Sequence, residues 1–179
     1  VTAVSFIPRA SALIVDDDTL YNRVWIYDTV DDEGNAKRIL QLDNSFHSAM
    51  YLDSDELVYE YTELFRLGDH FVSDIDSALA LGGAAFSYPK DFMRSHPGST
   101  LDVVEIDPDL TEFAKEYFGL QESPNLAVYH EDARTYLNDN EKKYDVIYSD
   151  VFNAFTIPFQ LTTVEAVQKM YDSLDEDGV

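Results

Sequence analysis

The sequence predicts an α/β fold: a parallel sheet with flanking helices, preceded by a small N-terminal β-hairpin unit. Three observations carry this reading. From residue 74 onward, short apolar runs alternate with helical patterns, as in parallel strands joined by right-handed crossovers. Each run ends in glycine or acid. Ala78-Leu79-Ala80-Leu81 enters Gly82-Gly83, and Leu101-Asp102-Val103-Val104 enters Glu105-Ile106-Asp107. Asn125 to Tyr129 precedes Glu131-Asp132-Ala133, and Asp145 to Tyr148 enters Ser149-Asp150. Upstream, Val24 to Tyr27 and Arg38 to Leu42 flank Asp31-Asp32-Glu33-Gly34-Asn35, a turn-forming cluster between two apolar runs.

Taken in order, residues 1–52 form the hairpin domain and residues 53–179 the second domain. The acidic turn at Asp31 lacks the ligand spacing of a calcium loop. Asp16-Asp17-Asp18 reads as a second solvated turn. A helix is expected from Asp53, with Asp53 and Glu56 as a capping box and Leu57, Val58, Tyr61, Leu64 and Phe65 on one face. Further helices are expected over Tyr88–Arg94, with Pro89 in the first turn, and over Pro108–Phe118, Arg134–Asn138 and Leu161–Leu174. The last residues, Asp175 to Val179, look like a turn before another strand. With an opening residue other than Met, this suggests part of a longer protein.

Composition narrows the function. The net charge is −23. Such a surface repels nucleic acid and anionic membranes, so no nucleic-acid partner is expected. It keeps the protein soluble and would favour cationic substrates such as amines. The chain has no cysteine, which removes disulfides and thiolate chemistry. His47, His70, His96 and His130 share no metal-ligand spacing, so no metal is expected. No run is long and apolar enough to span a bilayer and no signal-peptide pattern is present, so a cytoplasmic location is expected.

Ligands of open parallel sheets bind outside the carboxyl ends of the strands, which is where the glycines and acids stand. Gly82-Gly83 lets the backbone turn sharply and approach a ligand. Glu105 follows at the end of the next strand, where an acid accepts both hydroxyls of a ribose. The three-glycine dinucleotide fingerprint is absent, because Ala84 and Ser87 stand where later glycines belong. An adenosyl sulfonium has no pyrophosphate and tolerates this looser turn. Asp132 can accept from an adenine amino group and cap the following helix at once. Asp150, between an apolar strand and Val151-Phe152-Asn153-Ala154-Phe155, is the candidate base, since apolar neighbours push a carboxyl toward a useful pKa.

These segments together resemble the spermidine synthase (polyamine aminopropyltransferase) family, in its bacterial spermidine-synthase-like branch. Leu81-Gly82-Gly83-Ala84-Ala85 resembles the GGGDGG loop, and Val103 to Asp107 matches the VEID motif. Glu131-Asp132-Ala133-Arg134 resembles D-[AG]-R, and Tyr144-Asp145-Val146-Ile147 through Asp150 resembles the YDVI…D strand. Ile157-Pro158 with Leu161-Thr162-Thr163 resembles the branch's IP…LT signature. Tyr61-Thr62-Glu63-Leu64 resembles the Y-[HQ]-E-M helix, and Asp43 to Ser48 the strand before it. The resemblance implies a Rossmann-like class I methyltransferase fold and a donor that is S-adenosylmethionine or its decarboxylated form. Donor contacts would come from Gly82, Gly83, Ala84, Glu105, Ile106, Asp132, Ala133 and His47. Tyr61, Glu63 and Asn153 would face a small-molecule amine acceptor, with Asp150 as catalytic base. The exposed edge of the last strand would invite pairing with another chain, so a homodimer is expected. Three readings stay open: aminopropyl transfer, methyl transfer, or nucleoside or partner binding without catalysis. The chain departs from the family at Ala84, Ala85, Asn153, Ala154 and Thr62, positions that normally grip the acceptor or the donor's amino end. Putrescine is therefore expected to be a poor acceptor.

Overall fold

The computed structural model describes residues 12–153 and 156–179. Two four-stranded sheets form the frame. The first is an antiparallel meander of β1 (Ala12–Asp18), β2 (Arg23–Val30), β3 (Ala36–Leu42) and β4 (Ser45–Tyr51). The expected hairpin is β2–β3, with Val24 opposite Leu42 and Val30 opposite Ala36. Its turn closes through Asp31, whose carboxylate accepts from the amides of Glu33 and Asn35, and Gly34 supplies a φ of +92°. The expected unit is therefore a larger sheet than one hairpin.

Asp16 to Asp18 are corrected from turn to strand. They pair with Trp25, Val24 and Arg23 across β1–β2. Arg23 ion-pairs with Asp16 and Asp18, so the charges sit on a solvated sheet edge where they do no harm to the pairing. Such charges also blunt an edge against unwanted partners.

The helix expected from Asp53 is also corrected. Residues 53–59 are irregular, and Leu57 forms an isolated bridge with Met50. The amide of Glu56 is satisfied by Ser54 Oγ, two residues back, so no capping box forms. Helical turns begin only with α1 (Glu60–Glu63), continue as a 3-10 turn (Leu64–Leu67) and end in α2 (Gly68–Phe71). Packing of Leu57 into the core and the extended pairing with β4 override the local helical period.

The second sheet is parallel, in the order β7-β6-β5-β8. Its strands are β5 (Ser77–Leu81), β6 (Thr100–Val104), β7 (Leu126–Tyr129) and β8 (Val146–Ser149). The connecting helices are α3 (Ser87–Ser95), α4 (Pro108–Tyr117) and α5 (Ala133–Asp139), each within two residues of expectation. After β8 the expected long helix is divided into a 3-10 turn (Phe159–Leu161) and α6 (Val164–Asp172), where Thr163 Oγ1 accepts from Ala166 N.

Alternation along β5 explains the layering. Ala78 and Ala80 face a core with Phe86, Tyr88 and Phe92, while Leu79 and Leu81 face Ala133, Leu137 and Leu161 on the other side. A sheet buried on both faces needs apolar residues at nearly every position, and the buried exception, Asp102 of β6, is satisfied by Lys142 and Tyr144. A third core joins the two sheets. Val24, Ile26, Leu40 and Leu42 pack with Ala85, Leu110 and Phe118. Arg38 locks this join, holding Asp28 through two hydrogen bonds and donating to the carbonyl of Tyr117 at 2.7 Å. The antiparallel sheet is thereby held over the carboxyl ends of the parallel strands. Among the described residues no helix is long and apolar enough to cross a membrane.

Candidate active site

The site is built on the turn between β5 and α3. Gly82 takes φ +92°, and a Cβ there would run into the carbonyl oxygen of Asp150. Ala84 and Phe86 also have positive φ, at 46° and 56°. For residues with side chains such conformations cost free energy and persist only where surroundings impose them. Phe86 is fully buried, and its amide donates to Gly83 O at 2.7 Å. Core packing of the Phe86 ring thus stabilises a turn that Ala84 would not favour by itself.

Glu105 sits at the end of β6 and is 6% exposed. Its Oε2 accepts from the amides of Gly83 at 2.9 Å and Ala84 at 2.8 Å. Its Oε1 accepts from Asp107 N at 2.9 Å. The acid expected for a ribose thus also clamps the glycine turn to β6. Two carboxylate oxygens offer about four lone-pair sites, so a further acceptor site remains beside the three amides. Asp107 is fully buried and caps α4 through Asp109 N, and Thr19 donates to its other oxygen at 2.5 Å. This ties the β1–β2 loop to the end of β6.

Asp132 caps α5, accepting from Arg134 N at 2.8 Å and Thr135 N at 3.1 Å. Its second oxygen faces Gln160 Nε2 at 3.4 Å. The two roles expected for Asp132 are geometrically compatible, because the cap uses Oδ1 alone.

Two cavities meet at this turn. One, of about 300 Å³, is lined by Glu105, Ile106, Asp132 and Ala133, with Asn22 and Gln160 closing it. The other, of about 310 Å³, is lined by Tyr59, Tyr61, Thr62, Phe65, Tyr88 and Tyr148 among others. Both share Gly82, Gly83, Ala84, His47, Asp150 and Phe152. Asp150 therefore stands at the junction. Tyr61 donates to its Oδ2 at 3.2 Å. Burial pushes the Asp150 carboxyl above the ordinary carboxylate value, and the Tyr61 hydrogen bond partly opposes this. His47 is held by Ser45 Oγ at 2.7 Å, and burial lowers its pKa so that it is neutral at pH 7.

The structure places eleven of the twelve expected site residues around the two cavities, and Glu63 alone outside them. Tyr61 lies in the second cavity beside Asp150. Asn153 lies exposed on the rim of the first cavity, the donor side, and pairs through its backbone with Thr156. Glu63 is exposed on α1 and lines neither cavity. Thr62 lines the second cavity, but its hydroxyl is turned onto the carbonyl of Tyr59 at 2.6 Å. Ala85 is 1% exposed and packs in the core between the sheets. Ala154 and Phe155 lie outside the described residues. The aromatic wall of Phe65, Tyr88 and Tyr148 was not expected. Those residues lie in separate segments and none is a defining position of a motif, so only the fold could assemble them.

Fold and site together define a Rossmann-like protein of the class I methyltransferase type, with an antiparallel sheet covering the strand ends. Residues 76–179 match the spermine/spermidine synthase domain. The chain belongs to that family. It is 32% identical over 126 residues to the polyamine aminopropyltransferase of Vibrio vulnificus, covering 69% of this chain and 42% of that relative. The chain thus spans less than half of the relative's length. A crystal structure of a probable spermidine synthase from Corynebacterium glutamicum superimposes with a TM-score of 0.74 at 23% identity, covering 94% of this chain and 61% of that one. Human methyltransferase-like protein 13, solved with S-adenosylhomocysteine, superimposes with a TM-score of 0.60 at 25% identity, covering 67% of this chain and 62% of that one.

Proposed function

We propose that the chain carries the donor site and base of an aminopropyl transfer from decarboxylated S-adenosylmethionine to a small amine. The observation that carries this reading is the pair of cavities joined at Asp150. Glu105 and Asp132 would hold ribose and adenine in the first, which leaves the sulfonium pointing toward the shared wall. The acceptor would enter the second. Its nitrogen lone pair attacks the aminopropyl carbon next to sulfur, and the C–S bond breaks with its electrons passing to sulfur. Methylthioadenosine leaves, and the amine proton goes to Asp150. The sulfonium already makes the carbon electrophilic, so positioning and one base suffice. Of the two expected domains, the described part of the first, residues 12–52, serves as the cover and the second, residues 53–179, as the donor-binding unit.

Methyl transfer from S-adenosylmethionine is the second reading, and nucleoside binding without catalysis, which Ala85 favours, is the third. The family resemblance puts an acid there to grip the donor's amino end, and a buried alanine offers no such grip. The purified chain is incubated with each donor and an amine panel, and the nucleoside product is identified by mass spectrometry. Accumulating methylthioadenosine supports aminopropyl transfer. S-adenosylhomocysteine supports the second reading, and neither product would overturn transfer. A homodimer belongs to the same proposal, because β7 is an edge strand among the described residues and edge strands invite pairing. A monodisperse monomer in light scattering overturns that part.

A further inference from the structure

Among the described residues, the second cavity offers a carboxylate at one end only. Asp150 is the one carboxylate that lines it among the described residues. None of residues 1–11, Ala154 or Phe155 is acidic. Leading away from Asp150 is a chain of rings. Tyr61 meets Phe65 edge-on with centroids 6.1 Å apart. Phe65 contacts Tyr88 at 5.0 Å and Tyr148 at 5.7 Å, and Tyr88 meets Tyr148 at 4.7 Å.

The remaining polar side chains of this wall are uncharged, and most are already engaged within the protein. Thr62 donates to Tyr59 O at 2.6 Å, and Ser87 donates to Ala49 O at 3.0 Å. Ser48 Oγ accepts from Ala85 N at 3.3 Å, and His47 is paired with Ser45 at 2.7 Å. The hydroxyl of Tyr148 has no hydrogen-bond partner, but it is turned against Gly68 of α2, where a Cβ would come within 2.8 Å of it. No group of this wall is both anionic and free to receive a second ammonium. An ammonium buried without a partner is strongly disfavoured. An apolar or aromatic body gains by burial against the same rings.

We propose that the acceptor is a primary monoamine with an apolar or aromatic body, its nitrogen at Asp150 and its tail along the Tyr61–Phe65–Tyr88–Tyr148 wall. This rests on the transfer reading above. The cavity of about 310 Å³ lies at the small end of the range for small-molecule sites.

The test separates the two claims by reading binding before turnover. Phenethylamine, n-butylamine and putrescine are titrated calorimetrically into the full chain, with and without saturating methylthioadenosine. Butylamine and putrescine match in length and differ only in the far ammonium. Binding of both monoamines about tenfold or more tighter than putrescine is expected, since tenfold corresponds to about 1.4 kcal/mol. Equal or tighter binding of putrescine overturns the acceptor class, and so does absence of binding by every amine. Turnover is then read with both donors. The expected binding order without any transfer sinks the transferase reading and leaves the acceptor class standing. Transfer that favours putrescine does the reverse.

Discussion

At the scale of single residues, Asp150 and Glu105 each serve two demands. Asp150 must lose its proton to act as a base, yet burial favours the protonated form. Its folded pKa lies above its unfolded value. It therefore subtracts stability at neutral pH, and this loss fades as pH falls through the folded pKa and is gone below the unfolded pKa, about 3.9. Asp150→Asn should lower the transfer rate by about 10²–10⁴, the usual worth of a general base. The same variant should melt at a higher temperature than wild type at pH 7 and lose that advantage in acid. The acid limb of the wild-type rate profile should lie above the ordinary carboxylate range and vanish in the variant. An unimpaired Asp150→Asn enzyme removes Asp150 from the mechanism. Glu105 couples ligand to fold. Because it accepts three backbone amides, Glu105→Ala should destabilise the ligand-free chain by about 2 kcal/mol or more, as expected for hydrogen bonds to a charged group. It should also weaken methylthioadenosine binding. Denaturant unfolding and calorimetry measure the two losses separately, and an unchanged midpoint would show that the clamp contributes nothing.

At the scale of elements, the β5–α3 turn decides the site. Its carbonyl and amide partners come from both neighbouring strands: Gly82 N donates to Val104 O at 2.9 Å, and Asp150 N donates to Leu81 O at 2.9 Å. Any shift of this turn therefore moves Glu105 and Asp150 together. Gly82→Ala adds a Cβ against the Asp150 carbonyl at a φ that only glycine adopts freely. The expected cost is about 1–3 kcal/mol of strain, with loss of ligand binding even where the fold survives. Wild-type affinity for methylthioadenosine in this variant would contradict the tight approach of the two segments. The α1–α2 region makes the opposite point. Its helical period was legible, but the segment splits into short turns because Leu57 is drawn into the core and paired with Met50.

At the scale of the whole molecule, the charge of −23 dominates. Self-repulsion of this kind opposes the compact state and is screened by salt, with a Debye length of about 10 Å at 0.1 M and about 3 Å at 1 M. Raising KCl from 0.1 to 1 M should raise Tm by roughly 3 °C or more, which is on the order of 1 kcal/mol for a domain of this size. A flat or falling Tm would mean that the acidic surface is already neutralised by internal pairing. Several of the cations are engaged. Arg66 and Arg94 both hold Asp91, and Lys142 holds Asp102 at 2.6 Å.

Sequence by itself determined the parallel sheet, its four strands and their order of glycine and acid ends. That information is local: an apolar run, a turn residue and a helical period can each be read within about ten residues. It also marked Gly82, Glu105, Asp132 and Asp150 as one crevice, because a parallel sheet aligns all its strand ends. Tertiary structure alone decided what lies between them. The ring wall joins residues from α1, the 3-10 turn, α3 and β8, which are neighbours only after the sheet has formed. The reach of Glu105 back to the amides of Gly83 and Ala84, the displacement of Glu63 away from both cavities and the seating of His47 between them are likewise long-range outcomes. They depend on which side chains win the limited space over the strand ends, and no local pattern carries that competition.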